Sequence, residues 1–221
     1  MNEVFVSSPV MWAPGLEEDS GKWEKWLKGE EFIEKSSAAP KLEYTDPLFR
    51  RRLSQISRMT VHVVHSLLEK YGFDRETKLV FVSFRGEIAR EFSINKGIIN
   101  EKTILPAGFS LSVFNTPVAL AAIAFGLTGG YSAVYPSEGD FSSALKNAFA
   151  PVLCGDEKNI VLVYADELVP ECYGVDSDPF AFAALLSSVK TENFVQVSDI
   201  IEEKSPAAFL KRLLEEGRRN V

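Results

Sequence analysis

Residues 106–126 decide the fold and read Pro-Ala-Gly-Phe-Ser-Leu-Ser-Val-Phe-Asn-Thr-Pro-Val-Ala-Leu-Ala-Ala-Ile-Ala-Phe-Gly. The pattern predicts a strand over residues 109–113, a tight turn, and a helix that Pro117 opens. Enzymes of several folds present a nucleophile on such a corner, because the turn exposes one side chain and the helix N-terminus favours negative charge. Here the turn carries Asn115, whose carboxamide is not a useful nucleophile at neutral pH. The sequence therefore predicts the architecture of an active site without its reactive group.

Strands and helices are predicted to alternate along the remaining chain, which indicates an α/β sheet with parallel pairs in a single domain over residues 1–221. Further strands are expected at residues 4–7, 79–83, 131–135, 160–164 and 194–197. Helices are expected at residues 22–28, 46–71 and 141–149, after Asp178-Pro179, and from Ser205-Pro206 to just before Gly217. Residues 30–44 are polar and lack periodicity, so they are predicted to form a loop.

Composition excludes several classes of function. The 221 residues are 46% hydrophobic with a net charge of −7, which is typical of a folded protein and argues against general nucleic-acid binding. The densest apolar run, residues 118–125, is too short for a membrane span, and the N-terminus lacks the features of a signal peptide. Cys154 and Cys172 lack metal-type spacing, so the expected setting is a reducing cytoplasm.

Several stretches, in order, resemble the β-ketoacyl synthases of the thiolase-like superfamily. Ser110-Leu-Ser-Val-Phe-Asn-Thr-Pro117 is similar to the family's nucleophile corner. The other similar stretches are Val6-Ser-Ser-Pro-Val-Met-Trp-Ala-Pro14, Trp23-Glu-Lys-Trp-Leu-Lys-Gly29, Arg51-Arg-Leu-Ser-Gln-Ile-Ser-Arg58 with the helix that follows to Leu68, and Val80-Phe-Val-Ser-Phe-Arg-Gly-Glu87. The resemblance covers roughly residues 1–164. It is strongest to a short family of chain-length-factor type, found with polyene-type fatty acid biosynthesis genes, whose corner reads S-V-x-N.

The resemblance implies half of a thiolase-like fold, with a mixed, mainly parallel sheet and helices on both faces. Residues 175–221 would form a C-terminal helix–strand–helix extension. Asn115 would occupy the position of the family's nucleophilic Cys, with Phe114 and Thr116 as the other turn residues, and Asn115 would hold the turn by side-chain hydrogen bonds. No cofactor and no metal are implied.

The family's two active-site histidines lie in the second half of a duplicated fold, and this sequence has only His62 and His65. Both are predicted to lie with Arg58 and Glu69 on the solvated face of the long helix. Surface positions are favoured over a shared metal, since no Asp or Cys stands one turn away.

Two other sets of reactive side chains are interpreted conservatively. Cys154 is expected to be a small buried or loop residue, because Asp156 and Glu157 are unfavourable neighbours for a nucleophilic thiolate. Asp166 and Glu167, with Glu171, could form an acid pair after a parallel strand. Adjacent residues point in different directions, so a solvated loop is predicted instead.

Arg50, Arg51, Arg52 and Arg58 form the one basic cluster of an acidic chain. One interpretation is solubility, with pairing to acids such as Glu43 and Asp46. The other is docking of an acidic partner, and the resemblance points to an acyl carrier protein.

The helix over residues 117–126 is apolar on every side, so it must be buried all round. Its cover could be a second copy, a full-length ketosynthase, or residues 178–217 folded back. We expect a homodimer or heterodimer through residues 110–116, burying about 2,000 Å² or more.

The predicted role is a non-catalytic subunit, like a chain-length factor, that pairs with an active synthase in fatty acid or polyene-type biosynthesis. The alternatives are a stand-alone acyltransferase or hydrolase that uses another nucleophile such as Cys154, and a self-associating acyl-binding module.

Overall fold

The computed structural model describes residues 3–17, 19–103, 106–191, 194–196 and 200–219. Within them the strands are β1 (Phe5–Val6), β2 (Val10–Trp12), β3 (Lys78–Val82), β4 (Tyr131–Val134), β5 (Asn159–Asp166), β6 (Phe180–Ser187) and β7 (Val195–Gln196). The helices are α1 (Ser20–Lys28), α2 (Pro47–Arg50), α3 (Gln55–Tyr71), α4 (Ile88–Glu101), α5 (Pro106–Phe109), α6 (Thr116–Phe125), α7 (Phe141–Cys154) and α8 (Pro206–Arg219). Sequence analysis did not anticipate β2 or α4. The predicted strand at 194–197 is β7, and residue 197 lies outside the described residues.

The described strands form one mixed sheet of order β4-β3-β5-β6-β1-β7, in which β2 also pairs with β6. Strand β3 runs parallel to both β4 and β5. Strand β6 is antiparallel to β5 from the Asn159–Ser187 pair to the Asp166–Phe180 pair. On its other side β6 pairs with β1 and β2, and both pairings are antiparallel. The α/β class, with a mixed sheet and helices on both faces, is confirmed.

The helix predicted after Asp178-Pro179 is wrong, because this segment is the central strand β6. All eight of its residues are buried. Phe180, Phe182, Ala184 and Leu186 belong to the hydrophobic core on one face of the sheet, and Ala181, Ala183 and Leu185 to the core on the other. A strand covered on both faces needs no polar alternation, so the sequence shows a continuous apolar run that is also compatible with a helix.

Helices cover both faces of the sheet. On one face α1, α7 and α8 build a core in which the ring of Phe141 contacts those of Tyr164, Phe182 and Phe209. On the other face α3 and α6 pack against the sheet and each other. Helix α7 continues through Pro151 to Cys154, and α8 continues beyond Gly217, so both are longer than predicted.

The helix predicted over residues 46–71 is two helices. The Asp46 carboxylate caps α2 by accepting from the Leu48 and Phe49 amides. The Ser54 hydroxyl then caps α3 by accepting from the Ser57 amide at 3.2 Å. Each cap pairs amides that a helix start leaves without a partner. The second cap at Ser54 therefore starts a new helix, and α2 and α3 are separate.

Helix α3 is buried on nearly all sides, and this corrects the predicted surface location of its histidines. His62 is only 6% exposed. His65 is half-buried and stacks on Tyr44 with ring centroids 3.7 Å apart, and burial lowers its pKa. The loop predicted over residues 30–44 folds over α3 and covers it. The Gln55 amide donates to the carbonyls of Ser36 and Ala38 at 2.8 and 2.7 Å.

Helix α6 is not buried all round, contrary to the sequence prediction. Thr116, Pro117, Val118 and Ala121 are buried, but Ile123 is 73% exposed. The C-terminal segment does not cover this face, because β6 lies within the sheet and α8 packs on the opposite side. One side of α6 is therefore open among the described residues.

Candidate functional site

The corner before α6 consists of the short helix α5 and a turn. The strand predicted over residues 109–113 is not formed. Helix α5 ends at Phe109, and the chain turns with the Ser110 and Ser112 hydroxyls donating to the carbonyls of Ala107 and Phe109. The Thr116 amide then donates to the Val113 carbonyl at 3.0 Å and leads into α6. These hydrogen bonds within the segment take the place of the strand pairing that the sequence predicted.

Asn115 stands at the N-cap of α6 with φ −88° and ψ 1°, but its side chain makes no capping bond. Instead the Asn115 amide nitrogen donates to the Tyr131 hydroxyl at 3.0 Å. Tyr131 begins β4, which is the edge strand at one end of the sheet. The side chain therefore ties the corner to the edge strand, and the turn is held by backbone bonds.

Phe114 fixes the corner to the loop after β3. Its ring packs edge-on against Phe81 with centroids 6.3 Å apart. Gly86 has φ +58°, and a Cβ placed there would lie 2.7 Å from the Phe114 ring. Only glycine combines this backbone conformation with so close an approach.

His65 lies at the far end of α6 from Asn115. His65 contacts Phe125, the last residue of α6, at a ring distance of 5.3 Å. Asn115 precedes the first turn of this helix, whose ten residues span about 15 Å. The described residues also contain no group of three His, Cys, Asp or Glu side chains that could hold a metal ion.

Cys154 cannot complete the corner either. It is the last residue of α7, in the layer on the opposite face of the sheet from α6. Cys154 is exposed, and it ends a helix, whereas the sequence predicted a small buried or loop residue.

The basic cluster separates into two pairs. Arg58 donates to the carbonyls of Pro40 and Arg50, at 3.3 and 2.7 Å, and Arg50 donates to those of Leu42 and Thr45. These two guanidinium groups hold the segment that covers α3. Arg51 and Arg52 are exposed, and no carboxylate among the described residues pairs with them. The expected ion pairs with Glu43 and Asp46 are not formed among the described residues, and Asp46 instead caps α2.

Asp166 and Glu167 are buried, and the predicted solvated loop is wrong. Asp166 accepts hydrogen bonds from the Ser83 and Tyr164 hydroxyls at 2.6 and 2.9 Å and from the Phe84 amide. Burial raises the pKa of Asp166 despite these donors. Parallel strands β3 and β5 end side by side, which brings Ser83 to Asp166. The usable signal in the sequence was the pair of carboxylates at the end of a predicted parallel strand.

Glu167 points the other way and joins two helix starts. Its carboxylate accepts from the Ala89 amide of α4 at 2.9 Å and from the Ile56 amide of α3 at 3.4 Å. Burial, together with the negative charge of Glu87, raises the pKa of Glu167 to about 7. Glu167 lies at the base of a cleft of about 560 Å³ between these helices and the loop after β5.

Glu87 completes this network and was not identified from sequence. Its side chain is fully buried and accepts from the Ser54 and Ser57 hydroxyls at 2.7 and 2.5 Å. Arg90 pairs with its other oxygen at 3.0 Å. The loop that carries Gly86, and therefore contacts Phe114, is thus anchored by buried carboxylates.

Apolar side chains stand exposed on the elements around the corner. Phe109 is 60% exposed, Val113 52%, Ile123 73% and Tyr131 41%. One side of β4 has no strand neighbour within the described part of the chain. We call these four residues and the open edge of β4 the corner surface. Single exposed apolar residues are ordinary, whereas exposed apolar residues together with an unpaired strand edge are typical of surfaces that a partner covers.

Comparisons with known proteins fit this architecture. The sequence profile of the family described as "Beta-ketoacyl synthase, N-terminal domain" matches residues 23–212. A search of curated proteins found no match.

A ketosynthase in complex with its chain length factor, from Xenorhabdus doucetiae, contains a chain that is 24% identical at a TM-score of 0.76. The alignment covers 97% of this chain and 92% of that one. The ishigamide ketosynthase/chain length factor is 13% identical at a TM-score of 0.63, covering 84% of this chain and 62% of that one.

A structure of a type II polyketide synthase acyl-carrier protein in complex with its ketosynthase contains a chain that is 15% identical at a TM-score of 0.63. The alignment covers 85% of this chain and 64% of that one. At these identities the structural likeness establishes the fold. No helix of the described residues is long and apolar enough to cross a membrane. The profile match spans most of the sequence, and the chain belongs to the β-ketoacyl synthase N-terminal domain family.

Proposed function

We propose that this protein is a non-catalytic ketosynthase-like subunit that pairs with an active β-ketoacyl synthase and shapes the acyl-binding tunnel at the shared interface, as a chain-length factor does. The observation that carries the proposal is Asn115, which stands at the start of α6 where the family's nucleophile is expected. A carboxamide cannot form an acyl thioester, and no histidine stands beside it in the described residues.

The corner surface supports pairing. An open edge strand and exposed apolar side chains on α6 and in the preceding turn are costly to leave in water. An interface that covers them would bury about 2,000 Å² and be apolar at its centre. The complexes described for similar structures, a ketosynthase with its chain length factor and a ketosynthase with a carrier protein, make the same kind of partner reasonable here.

Arg51 and Arg52 are the residues that we assign to carrier docking. Their guanidinium groups are exposed, whereas Arg50 and Arg58 are engaged with backbone carbonyls. An acidic carrier protein would be attracted to this pair without disturbing the segment that covers α3.

Co-expression with a ketosynthase from the same host tests the proposal. The expected result is a stable heterodimer by light scattering, with condensing activity that requires the partner's own active site. Ile123→Asp should prevent pairing, whereas Val189→Asp, at an exposed apolar position after β6, should pair normally. A monomer at micromolar concentration in the presence of the ketosynthase would contradict pairing. A homodimer that ignores the ketosynthase would instead favour the self-associating module.

A further inference from the structure

A small pocket lies between helices α1 and α8, on the face of the sheet opposite to α6. Its volume is about 230 Å³, and its walls are the apolar side chains of Met11, Trp23, Leu27, Leu213 and Leu214. Trp23 and Leu213 are buried in the core of this face, whereas the other three are only half-buried. A concave apolar surface is therefore open to solvent at this place, as in many ligand sites.

An interruption at the edge of the sheet forms one side of the pocket. Strands β1 and β2 both pair with β6, but Ser8 and Pro9 between them belong to neither strand. Proline has no amide hydrogen and cannot donate to a strand partner. Both residues line the pocket, so the break in the strand is part of its wall.

Gly217 forms part of the opposite wall, within the last turns of α8. Its backbone does not adopt a positive φ, and a Cβ placed there would have no atom within 4 Å. Neither the backbone conformation nor a close approach therefore requires glycine, which is the least favourable residue in a helix after proline. The missing side chain leaves the pocket open on this side.

One ion pair stands at the rim. Arg218 and Glu24 are joined at 3.2 Å, and their side chains are 46% and 60% exposed. Among the described residues that line the pocket, Arg218 is the only cation and Glu24 the only anion. An exposed ion pair contributes little to stability, so the Arg218 guanidinium is available to another carboxylate.

The charge around the pocket favours an anion. Helices α1 and α8 together carry seven basic and three acidic residues, in a chain whose net charge is −7. The fold brings these two helices side by side, which concentrates positive charge around the pocket and attracts negatively charged ligands.

We propose that this pocket binds an aliphatic carboxylate of medium length, with its chain along Trp23 and Leu214 and its head group on Arg218. At roughly 30 Å³ per heavy atom, the volume of a water molecule in the liquid, the pocket holds a chain of about eight carbon atoms. The flexible Met11 side chain can adapt to such a chain. This inference is independent of the proposed pairing, because α6 and the corner surface lie on the other face of the sheet.

Titration of the intact chain with sodium octanoate tests the proposal. Because Trp23 lines the pocket, its fluorescence should change and saturate, and calorimetry should give one equivalent. Hexanoate should bind on the order of tenfold more weakly, because two fewer methylene groups are buried. Octylamine has the same chain with a cationic head group and should bind more weakly than octanoate.

Two substitutions at the rim should have opposite effects. Arg218→Gln should weaken octanoate binding several-fold, whereas Glu24→Gln should strengthen it, because Arg218 then has no competing carboxylate. Arg219→Gln is the matched control, since Arg219 is adjacent but pairs with Glu216. Its affinity for octanoate should be close to that of the unmutated chain.

A substitution in the wall should block the pocket. Gly217→Phe should abolish octanoate binding without unfolding the protein, since no atom lies near the new side chain. Glu215→Phe, at an exposed position of the same helix outside the pocket, should bind octanoate normally.

The unmutated chain alone can overturn the proposal. Absence of saturable binding below the concentration at which octanoate forms micelles would refute the site. A folded Gly217→Phe protein that still binds octanoate would place the ligand elsewhere and refute it too. Octylamine that binds as tightly as octanoate would refute the role of Arg218 as a carboxylate partner.

Discussion

The Asn115 side-chain amide donates a hydrogen bond to the Tyr131 hydroxyl at 3.0 Å, and this bond joins the corner before α6 to the edge strand β4. A side chain that cannot react as a nucleophile here has a positional role. The corner and the strand edge, which together form much of the corner surface, are thereby held in one arrangement.

Removing either partner of this bond should destabilise the protein slightly. The bond is neutral and partly exposed, so Asn115→Ala and Tyr131→Phe should each lower the free energy of unfolding by about 0.5–1 kcal/mol. Urea unfolding of both single variants and the double variant gives the coupling energy. Fully additive losses would show that the two side chains do not interact in solution.

Gly86→Ala should cost more than an ordinary substitution of a positive-φ glycine. Both Gly86 and Gly29 have positive φ, but only at Gly86 would the new methyl group meet a ring, that of Phe114 at 2.7 Å. Gly29→Ala, with open space around it, is the matched control and should lose about 1 kcal/mol. Gly86→Ala should lose at least about 1 kcal/mol more. Equal losses by thermal unfolding would mean that the Phe114 ring moves away freely.

The purified chain should not be acylated at the corner. Incubation with acyl-carrier thioesters followed by intact mass spectrometry should show no stoichiometric adduct. Asn115→Cys alone should not restore condensation, because no histidine lies beside the corner to promote decarboxylation. An adduct on the unmutated chain that Cys154→Ser abolishes would favour the stand-alone enzyme.

The exposed and the buried face of α6 should respond differently to a charge. Ile123→Asp places a carboxylate at a 73% exposed position, so the monomer should fold and lose only its pairing. Val118→Asp, at a fully buried position of the same helix, should unfold the protein because it buries an unpaired charge. Circular dichroism and light scattering of both variants measure the difference. Loss of folding in both would mean that Ile123 also serves the core.

The four arginines of the basic cluster should separate by function. Reversing the charge of Arg51 and Arg52 should weaken carrier binding several-fold without changing stability, and salt should weaken it in the unmutated protein too. Arg58→Ala should instead lower stability, because it removes donors to the Pro40 and Arg50 carbonyls. Carrier affinity that is insensitive to both reversal and salt would leave Arg51 and Arg52 as surface charge.

Local patterns predicted those elements whose boundaries are marked by specific side chains. Asp46 and Gly72 do mark helix ends, and Pro117 lies in the first turn of α6. Asp178-Pro179 looked like a helix start but precedes the strand β6. An apolar run that is buried on both faces of a sheet shows no hydrophobic periodicity, so the sequence did not distinguish a strand from a helix. It also misled between Asp46 and Tyr71, where the second N-cap, Ser54, lay inside an apparently continuous helix.

The sequence by itself determined the chemistry of the corner, because the absence of a thiol at residue 115 needs no coordinates. It also determined the family, through motifs that are local in the chain. Only the tertiary structure decided what surrounds these residues. The burial of Glu87, Asp166 and Glu167 depends on strands β3 and β5 ending together and on α3 and α4 starting beside them. The open side of α6 likewise depends on where residues 178–217 pack. Contacts between segments far apart in sequence set both outcomes, and no local pattern encodes them.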